Sequence, residues 1–242
     1  MDYSKPTLLV ISGPNGAGKS TYIASLLPAA FEGIISFDRD KTRTIFEQEF
    51  QSERFSPDEL TAKATRMMEA RLEVAMDNTI AVKSHFVLET PLSHPDYWKY
   101  IDRFERNGYQ VQLNYLCLDN IRACKFRVDQ RVREGGHHVD ARTIKGVYEI
   151  NLQHINNYQS TFRLIELYDG TIEPTLLVKI EENQVILAKE QALKKQWIKN
   201  GLPAIAAKLI LFLELQQSKM KKEKSLKKGR KNFRSNRYLT GM

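Results

Sequence analysis

Nine consecutive residues, Gly13-Pro14-Asn15-Gly16-Ala17-Gly18-Lys19-Ser20-Thr21, carry the most specific chemistry in this chain. Gly13, four further residues and then Gly18-Lys19-Ser20 is the spacing of a phosphate-binding loop. The glycines let backbone N–H groups turn inward around an anion, and a helix starting behind them adds its partial positive end. At this spacing Lys19 reaches the β- and γ-phosphates of a nucleoside triphosphate, and the Ser20 hydroxyl coordinates magnesium. The apolar run Thr7 to Ser12 lies directly before the loop, which separates it from an ordinary glycine-rich turn. ATP or GTP with magnesium is the expected ligand.

Transporter-type ATPases share these letters. They also need a second signature of LSGGQ type and an apolar strand ending in paired acids. Here Gly135-Gly136 sits in REGGHHV, and the strand to Leu118 ends in Asp119-Asn120, so that class is excluded. A small phosphotransferase remains. Asp38 falls at the carboxyl end of a second apolar segment, the edge where open parallel sheets bind ligands. A carboxylate there can deprotonate an acceptor hydroxyl or stand behind magnesium. Asp40, two residues on, competes for the role, although capping the next helix explains it as well. Glu89 ends a third segment at the same edge, as a substrate or metal-water contact or as a cap of the following turn. Arg127 and Arg131 share a helical face and are suited to the charge that develops in phosphoryl transfer. With Arg122 and Arg133 they also fit a solvated basic face.

Positioning these groups requires a layered α/β fold. Thr7 to Ser12, Glu32 to Phe37, His85 to Leu88 and Gln110 to Leu118 read as strands. Between them come helices at about Lys19 to Leu27, from Ser56-Pro57-Asp58-Glu59 (a capping box with proline at the first helical position), and from Pro95 to Arg106. Helices over Asn120 to Glu134 and from Asp140 to about Tyr158 follow. This alternation predicts a mainly parallel sheet in a three-layer, phosphate-loop NTPase-type fold. Phe162 to Tyr168 and Leu176 to Ile180 read as further strands, and about Lys189 to Gln217 as helical. The expected division is a core over 1–171, a small C-terminal extension over 172–218, and a basic tail over 219–242.

The formal charge of +8 is confined to that tail. Residues 219–242 hold ten Lys or Arg and one acid, a net of +9, which leaves 27 basic and 28 acidic residues, a net of −1, for 1–218. The tail is too poor in apolar residues to fold alone, so a disordered, solvated segment is expected. Contact with nucleic acid through it is the alternative, which two aromatics, Phe233 and Tyr238, support only thinly. Cys117 and Cys124 have the spacing of neither a zinc site nor a disulfide framework. With no signal-peptide pattern and no apolar run long enough to span a bilayer, a cytoplasmic protein is expected.

Taken together, the segments GPNGAGKST (13–21), SFDRD (36–40), FVLETPLS (86–93), NGYQVQLNYL (107–116), FRVDQRVREGGHHV (126–139) and YDGT (168–171) resemble the zeta-toxin-like branch of phosphate-loop kinases. The resemblance covers about residues 7–171 in order and spacing. It implies ATP-dependent phosphorylation of a hydroxyl on a small sugar nucleotide, with UDP-N-acetylglucosamine the known substrate class and NAD an acceptor for some relatives. It further implies Asp38 as the catalytic acid after the second strand, Glu89 and Thr90 as substrate contacts, and Arg127 and Arg131 as a phosphate clamp. His137 matches the family histidine, in a loop-stabilising or substrate-contacting role. Where the family shows an arginine-tyrosine pair this chain has Val147-Tyr148, so if that arginine is a phosphate clamp this chain lacks it or uses Arg142 instead. No segment resembles a fused antitoxin, so any such inhibitor would be a separate chain.

Overall fold

All six residues of Thr7–Ser12, strand β1, are buried. The computed structural model describes residues 1–135 and 138–237, with side chains followed as far as residue 221. Two 3-10 turns, Ile23–Leu26 and Ala29–Phe31, precede β2 (Phe37–Asp38), α1 (Arg39–Glu49) and α2 (Pro57–Val82). Then come β3 (Phe86–Glu89), α3 (Pro95–Arg106), β4 (Gln110–Cys117), α4 (Ile121–Arg133) and α5 (Ala141–Asn157). The chain closes with β5 (Leu164–Asp169), β6 (Thr175–Glu181), β7 (Gln184–Ala188), α6 (Gln196–Lys199) and α7 (Pro203–Arg237). The strands form one seven-stranded sheet in the order β2-β3-β1-β4-β5-β6-β7. The first five are parallel, and β6 and β7 are antiparallel additions. This is the expected mainly parallel α/β fold.

β1 sends alternate side chains to opposite faces. Leu8 and Val10 join a large cluster with Leu72 and Met76 of α2, Ile101 and Phe104 of α3, and Leu152 of α5. Leu9 and Ile11 face a smaller cluster made with Ala17, Leu26, Phe31, Val87 and Leu116. Burying each such aliphatic side chain is worth roughly 1.5–3 kcal/mol, so the central strands are held from both sides.

The thinner side marks a correction. The helix expected over Lys19 to Leu27 is absent. After one helix-type bond from Tyr22 N–H to the Gly18 carbonyl at 3.0 Å, beside tighter bonds from Thr21 N–H to Gly18 and Tyr22 N–H to Lys19, the chain forms a 3-10 turn at Ile23–Leu26. Ser20, Thr21 and Ile23 are weak helix formers, and Pro28 ends the segment before a longer helix can propagate. The second strand is shorter than expected as well. Only Phe37 and Asp38 pair with β3, while Ile35 is 90% exposed.

The segment after Asp169 does not stand apart. β6 and β7 extend the same sheet through a two-residue turn at Glu182-Asn183, both with positive φ, as tight hairpins require. Trp197, Ile198, Ile205 and Leu209 from the helices beyond join the main cluster. The helical run is interrupted at Asn200-Gly201, and α7 starts at Pro203. α7 continues through the basic segment to Arg237, where an unstructured tail was expected. From Lys219 to Arg237 the sequence has no proline and one glycine and is rich in Lys and Arg, residues with high helix propensity.

Candidate active site

The phosphate loop bridges the carboxyl end of β1 to the 3-10 turn. Ala17 is its buried anchor in the smaller core cluster, and its N–H closes a turn onto the Pro14 carbonyl at 3.2 Å. Gly16 has φ of +80°, and a Cβ there would stand 2.6 Å from the Cys124 carbonyl oxygen of α4. Only glycine lets the loop lie this close to that helix. With no long helix behind it, the loop's anion-binding capacity rests on its own N–H groups and on Lys19. The Lys19 ammonium donates to the carbonyls of Gly13 at 3.1 Å and Pro14 at 3.4 Å.

Gly13, Asn15, Gly16, Gly18, Lys19, Ser20 and Thr21 open onto a cleft of about 990 Å³. Pro14 and Ala17 lie buried beneath it. The Ser20 hydroxyl lies 3.0 Å from Glu89 Oε1 and 3.5 Å from Asp38 Oδ2, so two acids from separate strands converge on the loop's last turn. The parallel pairing of Asp38 with Glu89 places them side by side at the sheet edge. Burial raises the Glu89 pKa above the ordinary glutamate range, with Asp38 and Asp40 adding to the shift and Lys19 and Ser20 opposing it.

Asp38 also caps α1, its Oδ1 accepting from Lys41 N–H at 2.9 Å. The cap expected of Asp40 therefore falls to Asp38. Asp40 sits exposed in the first turn of α1, 3.6 Å from Arg43, and lines the cleft. Between the two acids, Arg39 points inward. It is 6% exposed, lies 2.5 Å from Glu69 of α2, and stacks 4.4 Å over the Tyr97 ring of α3. It clamps the start of α1 to two other helices and so fixes both flanking acids. Sequence reading missed it because its partners lie 30 or more residues away in the chain.

Thr90 is buried at the cleft wall, its N–H continuing the sheet to the Ile11 carbonyl at 3.2 Å. Arg127 and Arg131 both face the cleft. Arg127 Nη2 donates to the Thr171 carbonyl at 2.6 Å, which ties α4 to the loop after β5. Val147 lines the cleft, whereas Arg142 is exposed and is not among the cleft residues. His137 lies outside the described residues. Cys117 and Cys124 are free and buried, and burial pushes both thiols up, which leaves them protonated and unreactive.

Among the described residues no cluster of three His, Cys, Asp or Glu side chains could hold a metal. No described helix is long and apolar enough to cross a membrane. A magnesium site of the usual kind needs less protein: one or two oxygen ligands, with phosphates and water completing the shell. Ser20 with Asp38 and Glu89 fits that requirement.

Comparison with known proteins bears on the family and the fold. The chain matches the family described as Zeta toxin over residues 1–191. An uncharacterized protein of Haemophilus influenzae is 24% identical over 138 residues, 56% of this chain and 88% of that one. The crystal structure of AvrRxo1-ORF1:AvrRxo1-ORF2 with sulphate ions superposes with a TM-score of 0.60 at 16% identity, over 79% of this chain. This chain spans 63% of that one's length. The structure reported for the PezAT chromosomal toxin-antitoxin system of Streptococcus pneumoniae gives a TM-score of 0.53 at 18% identity, covering 86% of this chain and 87% of that one. The chain belongs to the Zeta toxin family and has the fold of a phosphate-loop kinase.

Proposed function

We propose that this protein transfers the γ-phosphate of ATP to a hydroxyl of a small nucleotide-like acceptor, of the UDP-N-acetylglucosamine class. The observation that carries the reading is the convergence of Asp38 and Glu89 on Ser20 at the end of the phosphate loop. Ser20, with the two acids acting directly or through water, would hold magnesium, which neutralises phosphate charge when bound. Loop N–H groups and Lys19 hold the β- and γ-phosphates. Arg127 and Arg131 face the equatorial oxygens across the cleft and stabilise charge developing there. Asp38 orients the acceptor hydroxyl and takes its proton.

The cleft's volume of about 990 Å³ lies at the top of the range for a single small-molecule site, which suits two ligands side by side. A second assignment of the proton is favoured by Asp38's own bonds. With Asp38 Oδ1 engaged by the Lys41 N–H, Asp40, exposed in the same cleft, takes the proton while Asp38 stays with the metal. The structural relatives named for paired chains and for a toxin-antitoxin system support a separate antitoxin chain as partner. Incubation with labelled ATP, magnesium and a panel of UDP-sugars, NAD and nucleosides tests the reading, with Lys19→Ala as control. Transfer to no member of the panel by active, folded protein would remove the proposed acceptor class.

A further inference from the structure

We propose that Lys195 is a positioning residue for nucleotide binding, holding the loop 169–172 in the arrangement that fastens Arg127 beside the phosphate loop. The inference rests on the ATP site proposed above. Lys195 lies past residue 191, where the family match ends, so no family motif points to it.

Its ammonium lies 2.7 Å from Asp169 Oδ2 and 3.0 Å from Asp119 Oδ1. Asp169 ends β5 and Asp119 follows β4, at the same sheet edge that carries the phosphate loop. The second Asp169 oxygen, Oδ1, accepts from the Thr171 N–H at 3.2 Å and from its hydroxyl at 2.6 Å. The Thr171 carbonyl in turn takes the 2.6 Å bond from Arg127. The loop is seated directly on the phosphate-binding segment. A Cβ on Gly170 would stand 2.9 Å from the Ala17 carbonyl oxygen, and Tyr22 OH donates to the Ile172 carbonyl at 3.0 Å. Arg127 itself flanks the glycines, its Cβ 3.4 Å from where a Gly16 Cβ would be. A continuous chain of contacts therefore runs from Lys195 through Asp169 and Thr171 to Arg127.

Lys195 is well placed to hold this chain. Ala192 and Trp197 on either side of it are buried in the core, and its side chain is only 18% exposed. Burial alone lowers the lysine's pKa, but the bonds to Asp169 and Asp119 outweigh that, so it stays charged. Without the ammonium, two carboxylates are left unneutralised at the edge where a triphosphate must bind. Asp169 then loses the partner that fixes its orientation, and Thr171 and Arg127 lose theirs in sequence.

The test is titration of the full chain with a fluorescent ATP analogue and magnesium, beside nucleotide-free melting curves. Lys195→Met is expected to raise Kd roughly five- to tenfold, the size of one ordinary hydrogen bond lost at the far end of the contact chain. Lys195→Arg is expected to restore binding, because it keeps the charge and the donors. In an Arg127→Met background, Lys195→Met is expected to add little, since both act through the same contact. An unchanged Kd in Lys195→Met, or fully additive effects in the pair, would overturn the assignment. Should Lys195→Met fold poorly, Asp169→Asn approaches the contact from the other end. It keeps an acceptor for Thr171 and loses the attraction to Lys195, so an unchanged Kd there overturns the assignment too. Wild-type protein that fails to bind the analogue sinks the ATP site and this inference together. Wild-type binding matched by Lys195→Met sinks the inference alone.

Discussion

Ser20 and Glu89, 69 residues apart in sequence, share a 3.0 Å hydrogen bond at the carboxyl edge of the sheet. Glu89 is 7% exposed there, and burial raises its pKa. The folded protein thus binds this proton more tightly than the unfolded chain. Stability from this group is full below the ordinary glutamate value of about 4.3 and falls as pH rises through the raised folded value. Above that raised value the ionised carboxylate opposes folding. Glu89→Gln is therefore expected to raise Tm at pH 8, with little gain at pH 4, and to weaken magnesium-dependent ATP binding. Each kcal/mol reads as about 2–4 °C for a chain of this size. Melting curves at both pH values decide it, and a lower Tm at pH 8 would count against the account.

Lys19 makes its bonds to two loop carbonyls, Gly13 and Pro14, while its neighbours line the cleft. Lys19→Ala removes a phosphate contact without opening the core. Phosphoryl transfer is expected to fall by about 10²-fold or more, with the nucleotide-free Tm little changed. Labelled-ATP turnover and melting on the same preparation test both halves. Retained transfer would show that the loop does not act as proposed.

Asp38 and Asp40 are separated by substitutions that respect the cap. Asparagine still accepts the Lys41 N–H, so Asp38→Asn is expected to leave stability unchanged and to lower kcat by about 10²–10⁴. Asp38→Ala is expected to lose the cap as well, at about 0.5–2 kcal/mol of stability. Asp40→Asn is expected to reduce turnover much less. If the kinetic loss appears in Asp40→Asn instead, the proton passes to Asp40 and Asp38 belongs with the metal.

What the sequence revealed here was mostly local. The glycine spacing, the Ser56 capping box and the Asp140 cap each lie within a few residues, and each is present in the structure. The parallel order followed from alternating apolar runs. The helix after the phosphate loop was misread because loop motifs are ordinarily followed by one, whereas Pro28 and the weak formers between leave only a 3-10 turn. Strand β7 gave no signal, because Ile186 and Leu187 remain partly exposed at the open edge. Arg39 and Lys195 were invisible for a different reason. Their types suit a solvated surface, and only folding brings Glu69, or Asp119 and Asp169, to them.

The basic segment offers the last test. Residues 1–218 carry a net of −1 and residues 219–242 a net of +9, so deletion after Ser218 removes the whole positive excess. The last fully buried side chain of α7 among the described residues is Leu209, and the positions from Glu214 to Lys221 are exposed. Truncation is therefore expected to leave Tm and transfer to a small acceptor unchanged. Any polynucleotide affinity should disappear with the tail, and in the full chain it should fall steeply between about 50 and 200 mM salt, as counterion release requires. Transfer that is lost on truncation, or that proceeds only with RNA or DNA ends, would move the acceptor from a small molecule to a polyanion. The cleft around Ser20 and Glu89 would then be the catalytic half of a larger binding surface.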